Sequence, residues 1–155
     1  MKIIDNFLED DFFNHIQELF TYQISYKYGQ KSAPGEEGNI FMVAYLNIEE
    51  PLLKYIANKI TMKTKSSFTG CYANLQFNGM GGDWHTDPGD FTAILMLSKT
   101  LEQGSGQFQI KTPKESVDFV SNRLVVFKAN KKHRGLAPKE INVPRITLTF
   151  KSANS

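Results

Sequence analysis

The residues best able to do chemistry are few: the 155-residue chain has three histidines, His15, His85 and His133. His85 opens the segment Trp84-His85-Thr86-Asp87-Pro88. In an extended segment, residues two apart project to the same face. His85 and Asp87 would then present an imidazole and a carboxylate at the separation of two metal ligands. Alone, the pair equally describes a polar turn before Pro88. His133 lies in Lys131-Lys132-His133-Arg134-Gly135, 48 residues beyond His85 and just after the apolar segment 124–128. A third ligand from a distant strand end would complete a set of two histidines and one carboxylate. Such a set covers one face of a six-coordinate iron and leaves three positions open. Zinc takes four ligands in a closed site, or three and a water. His15 falls on an amphipathic helical pattern and reads as a surface residue.

A second feature is Val143-Pro144-Arg145-Ile146-Thr147-Leu148-Thr149-Phe150, in which Arg145, Thr147 and Thr149 share one strand face. By itself this is a strand with a solvated polar side. Turned into a barrel, Arg145 would offer a planar fork for a carboxylate and Thr147 a hydroxyl. Residues 72–77 alternate similarly, with Tyr72, Asn74 and Gln76 on one face.

The elements that must position these groups follow from periodicity. Residues 3–4 read as a short strand. An amphipathic helix over about 8–21 would bury Phe12, Phe13, Ile16, Leu19 and Phe20. Residues 28–39, YGQKSAPGEEGN, have no periodicity, three glycines and a proline, and read as a loop. A second helix is expected over about 51–62, with Pro51 at its first position and Leu52, Leu53, Ile56 and Ile60 buried. Strands are expected over 72–77, 91–97, 107–111, 117–120, 124–128 and 146–150, with 91–97 apolar enough to be covered on both faces. Two helices followed by seven or eight short strands suggest helices packed on a β-sandwich or barrel.

Composition narrows the class. With 41% apolar and 22% charged residues, the chain has the balance of a single globular domain over 1–155. One cysteine, Cys71, excludes a disulfide framework. A net charge of +2 gives no argument for a nucleic-acid partner. No apolar run approaches the roughly 20 residues of a membrane span. The opening Met1-Lys2-Ile3-Ile4-Asp5-Asn6 lacks an apolar targeting core, so a cytoplasmic location is the expectation.

Taken together, H-x-D, a distant His, and an Arg twelve residues later followed by x-Thr resemble the Fe(II)/2-oxoglutarate-dependent dioxygenases, most closely the prolyl 4-hydroxylase-like branch. Ile3-Ile4-Asp5-Asn6-Phe7-Leu8 resembles that branch's opening strand and helix entry. Gly104-Ser105-Gly106-Gln107-Phe108 resembles its glycine hairpin, and Asn122-Arg123-Leu124-Val125-Val126-Phe127 the strand leading to the second histidine. The likeness spans essentially the whole chain. It implies an α+β, mainly β fold: a double-stranded β-helix (jelly-roll, cupin-like) core with N-terminal helices on the major sheet. It implies that His85, Asp87 and His133 hold Fe(II), that Arg145 and Thr147 meet the far carboxylate of the co-substrate 2-oxoglutarate, and that O2 is the oxidant. The products would be succinate, CO2 and a hydroxylated C–H position, with a prolyl residue of a peptide or protein as substrate. Relatives often carry a tyrosine on the strand before H-x-D; Phe77 stands nearest here and has no hydroxyl. Tyr72, Asn74 and Gln76 are the candidates to contact 2-oxoglutarate instead. Trp84 reads as a buried packing residue, and Lys128, Lys131, Lys132 and Arg134 as a solvated basic turn. Other readings of the same residues are a non-catalytic metal-binding β-sandwich module, an oxygenase of a small molecule or nucleic acid, and a zinc hydrolase.

Overall fold

The computed structural model describes residues 1–32 and 38–154. Its elements, in chain order, are β1 (Lys2–Ile4), α1 (Asp10–Tyr22), β2 (Lys27–Gln30), β3 (Phe41–Leu46), α2 (Pro51–Thr64), β4 (Phe68–Gln76), β5 (Phe91–Met96), β6 (Phe108–Ile110), β7 (Glu115–Val117), β8 (Leu124–Lys128), β9 (His133–Gly135) and β10 (Arg145–Ser152). Seven strands form one sheet in the order β1-β8-β5-β10-β4-β3-β2, and three form a second, β7-β6-β9; every pairing is antiparallel. From β4 onward the chain shuttles between the sheets. It leaves the large sheet for a bridge at His85, returns as β5, leaves for β6 and β7, returns as β8, leaves as β9 and returns as β10.

Each face of the large sheet has its own core. The helices bury Phe13, Ile16, Phe20, Ile56 and Ile60 against Ala73, Leu95, Leu148 and Phe150 on the outer face. Between the sheets lie Ile94, Met96, Phe108, Phe119, Val125 and Phe127. Strand β5, apolar on both sides, contributes to both, as its unbroken hydrophobic run requires. His15 is exposed on α1.

The structure departs from the sequence pattern at four places. Residues 28–30, placed by composition at the start of a loop, belong instead to the edge strand β2; positive φ at Gly29 and a register shift between Tyr28 and Gln30 erase its two-residue period. Residues 33–37 of that expected loop lie outside the described residues. Strand β3 is a six-residue apolar run of a kind that periodicity alone assigns to neither helix nor strand. The strand expected at 117–120 ends at Val117, and Phe77 falls beyond the end of β4.

Asn122 fixes the chain's lead-in to this framework. It is 5% exposed with φ of 62°, and its side chain accepts from Leu8 N at 3.0 Å and donates to Leu8 O at 2.8 Å. Asparagine tolerates the left-handed region better than other non-glycine residues. Asn122→Ala therefore loses two buried hydrogen bonds and adds backbone strain. The expected destabilisation is about 2–4 kcal/mol, read from the urea midpoint at unchanged m-value.

Candidate functional site

The register of the large sheet sets three polar rows side by side. Gln76 pairs with Arg145, Asn74 with Thr147, and Tyr72 with Thr149; on β3, Val43 and Tyr45 pair with Asn74 and Tyr72. These side chains face the second sheet across a cavity of about 300 Å³. The polar faces that read as solvated in isolation thus line an interior, and Lys151 continues the β10 row beyond Thr149. The opposite wall carries Phe108, His133, Gly135 and His85.

The two histidines meet because the segment around residue 85 pairs with β9. His85 N donates to His133 O at 3.1 Å, and His133 N to His85 O at 2.9 Å. Asp87 is held by its N–H on Ala129 O at 2.9 Å. The ligand-type atoms of His85, Asp87 and His133 all lie within 4.8 Å of one another. His85 Nε2 is 3.6 Å from Asp87 Oδ1, and His133 Nε2 is 3.2 Å from Asp87 Oδ2. These separations are near those of adjacent ligands on an ion with bonds of about 2.1 Å.

Tautomers follow from the hydrogen bonds. His85 Nδ1 lies 2.8 Å from Asp83 O and His133 Nδ1 2.8 Å from Lys131 O. A carbonyl oxygen only accepts, so each Nδ1 carries a hydrogen, and a ring in its neutral form turns its Nε2 lone pair toward Asp87. Burial, with His133 nearby, pulls His85 below the ordinary histidine range and so favours this neutral form. Burial works against charge on Asp87 too, but its polar neighbours, the Lys151 ammonium among them, outweigh it and hold the carboxyl well below the usual range. Three electron-rich atoms facing one point make a donor set that suits a shared cation. His133 itself is 3% exposed and seated between the rings of Phe108 and Phe127, with centroids at 5.7 and 4.6 Å.

Arg145 crosses the inter-sheet space. Its Nε donates to Gly106 O at 2.7 Å and its Nη1 to Gln76 Oε1 at 2.6 Å, while Gln76 Nε2 donates to Met80 O at 2.7 Å. Gln76 thereby braces the guanidinium. Arg145 is 3% exposed, has no carboxylate partner among the described residues, and is pulled down to about 10 by burial. At neutral pH it stays charged. A buried cation without a counter-ion is costly unless an anion is supplied. Beside it, Asn74 Oδ1 is a buried polar atom with no hydrogen-bond partner. Tyr72 is kept protonated by burial, which raises its hydroxyl far above the usual range; Asp87 adds to the effect.

Four contributors escape the sequence pattern. Thr92 donates to Asp87 Oδ2 at 2.7 Å from within the apolar β5 run. Lys151 forms an ion pair with the same oxygen. Gly106 and Gly135 leave room for Arg145. Trp84, expected in the core, is instead half-buried beside the site, stacked under Arg134 at 4.4 Å, because its polar-rimmed ring finds a cation at the edge of the small sheet. Lys128, Lys131 and Lys132 are exposed, as a solvated turn requires.

No protein-family model matches the chain, and no curated protein matches it. Solved structures do. A prolyl hydroxylase from Trichoplax adhaerens, in complex with a hypoxia-inducible-factor oxygen degradation domain peptide fragment, is 18% identical over 99% of this chain and 83% of its own, with a TM-score of 0.77. A Pseudomonas putida prolyl-4-hydroxylase is 14% identical over 99% and 92%, with a TM-score of 0.71. A viral collagen prolyl hydroxylase from Paramecium bursaria Chlorella virus-1, in complex with 2-oxoglutarate, is 17% identical over 98% and 95%, at 0.68. The chain shares the fold of these prolyl hydroxylases. No described helix is long and apolar enough to cross a membrane.

Proposed function

We propose that the chain is a single-domain Fe(II)- and 2-oxoglutarate-dependent dioxygenase whose two sheets are the halves of a double-stranded β-helix, and that it hydroxylates a prolyl C–H bond. The observation that carries the proposal is one cavity containing both a converging His85–Asp87–His133 set and the uncompensated Arg145 guanidinium. Either alone fits other chemistry. A metal and a buried carboxylate acceptor, reached from the same cavity, suit a co-substrate that chelates at one end and is anionic at the other.

In this reading His85 Nε2, His133 Nε2 and Asp87 hold the iron. Arg145 and the Thr147 hydroxyl bind the far carboxylate of 2-oxoglutarate, and Gln76 keeps the guanidinium fork aimed. Asn74 and Tyr72 lie on the same wall, available to orient the co-substrate. When bound, iron with 2-oxoglutarate and O2 supplies an oxidative decarboxylation that leaves succinate, CO2 and a hydroxylated substrate. Phe108, Phe127 and Ile94 keep the metal's surroundings apolar, and Thr92 pins the Asp87 carboxylate. A prolyl substrate is supported by likeness to structures described as prolyl hydroxylases, one of which holds a peptide.

The test is coupling. With Fe(II), O2 and 2-oxoglutarate, succinate should form in step with the gain of one oxygen by proline-containing peptides. Metal-independent succinate, or none under any substrate, contradicts the proposal.

The same reading gives Gly135 a measurable role. A Cβ there would lie 3.0–3.2 Å from Arg145 Nη2, Nη1 and Cζ, closer than comfortable contact, and the guanidinium is braced against moving away. Gly135→Ala should weaken 2-oxoglutarate binding about 5- to 20-fold while metal affinity stays as in wild type, both read by calorimetry.

A further inference from the structure

We propose that the primary substrate carries a carboxylate, and that Lys151 holds it; the proposal rests on the dioxygenase reading above. The polar row of β10 runs Arg145, Thr147, Thr149, Lys151, roughly 20 Å of strand with a cation at each end. The Arg145 end is enclosed by Gly106, Gly135 and Gln76 and is assigned to 2-oxoglutarate. The Lys151 end lies beside Asp87, on the metal's other flank, and is lined by Tyr72 and Tyr45. Tyr45 is 72% exposed, so this is the end that opens outward.

Lys151 has capacity for a ligand. An ammonium has three donors. Asp87 takes one, and the Tyr72 ring lies 5.4 Å below the nitrogen. Among the described residues no second carboxylate reaches it.

Charge points the same way. Leaving aside the rim, the largely buried charged side chains of the described residues in the cavity are Arg145 and Lys151 against Asp87, one positive charge in excess. A dication and doubly charged 2-oxoglutarate cancel each other and leave that excess in place. A neutral substrate would do nothing to balance it, whereas a carboxylate would.

A purely structural duty for Lys151 explains less. Thr92 already donates to Asp87 Oδ2, and the Asp87 N–H is fixed on Ala129. A permanent cation beside a carboxylate that must bind a dication repels that dication, and a neutral donor would orient Asp87 without this penalty.

The carboxylate could belong to a free amino acid or to an acidic side chain next to the prolyl residue. Both are tested by calorimetry on anaerobic protein loaded with Fe(II) and 2-oxoglutarate. The probes are L-proline against L-prolinamide, and Ac-Glu-Pro-NH2 against Ac-Gln-Pro-NH2. In at least one pair the acid should bind at least 10-fold more tightly than its amide. The pair that discriminates identifies the source. Lys151→Gln, which keeps a hydrogen bond for Asp87 but no charge, should abolish that preference while 2-oxoglutarate still binds. Lys151→Arg should retain most of it. Absence of an acid preference in both pairs overturns the proposal, as does a preference that survives in Lys151→Gln. Loss of 2-oxoglutarate binding in Lys151→Gln also overturns it, by assigning the lysine to the co-substrate. Failure of the wild type to bind 2-oxoglutarate overturns the dioxygenase reading beneath it instead.

Discussion

His133→Ala should lower affinity for Fe(II), or for Co(II) as a stand-in, by more than about 100-fold and remove all metal-dependent 2-oxoglutarate turnover. Loss of a group that merely orients a ligand already costs about 10- to 100-fold in metal affinity, so loss of a ligand must exceed that. The fold should survive. His133 fills a small apolar seat between Phe108 and Phe127, and the β6–β9 pairing uses its backbone rather than its ring. Truncation there costs about 1–2 kcal/mol of stability, within reach of a framework with two separate cores. His15→Ala is the control, since that ring is exposed on α1, which packs on the face of the large sheet away from the triad. Its metal affinity should match the wild type. Calorimetric titration of both variants checks the pair of expectations; equal affinity in His133→Ala would remove it from the metal site.

The second large effect concerns Arg145. Arg145→Met should raise the dissociation constant for 2-oxoglutarate by at least about 100-fold, since a bidentate charge-assisted pair in a buried setting is lost together with its charge. Arg145→Lys should fall between, by about 10- to 50-fold: the charge remains but the planar fork does not. The stability change carries an independent sign. In the protein without co-substrate the guanidinium is buried, unpaired and pulled down to about 10 by desolvation. Replacing an uncompensated buried charge by an apolar chain of similar length relieves that penalty. Two good hydrogen bonds, to Gly106 O and Gln76 Oε1, are given up in exchange. Arg145→Met should therefore be close to neutral in urea unfolding while crippling co-substrate binding. A residue that served only the fold would show the reverse, lost stability with affinity unchanged.

How much of this was legible in the sequence differs from residue to residue. His85, Asp87, His133 and Arg145 could be singled out because rare residue types recur in a chemically meaningful order. Their convergence could not be derived from spacing, since it depends on the bridge between residue 85 and β9. The polar faces of β4 and β10 were visible as period-two patterns, but the same pattern describes a solvated strand. Only the register that sets Gln76 against Arg145 and Asn74 against Thr147 turns both rows inward. Lys151 lies one step further along that period, beyond the expected strand end at Phe150. Thr92 was hidden in an apolar run, and Gly135 acts through a missing side chain, which composition cannot display. The helices, with strong 3.6-residue periods, were placed to within one or two residues. Strand β2, broken by a glycine and a register shift, was not.

The measurement that bears most directly on the central claim is spectroscopic and anaerobic. Fe(II) is added to the protein, then 2-oxoglutarate, and the visible spectrum is followed. A charge-transfer band should grow with 2-oxoglutarate, saturate at one equivalent, and be absent in His133→Ala. No band, with calorimetry showing that 2-oxoglutarate does not bind, would contradict the assignment of His85, Asp87, His133 and Arg145 to one metal and co-substrate site.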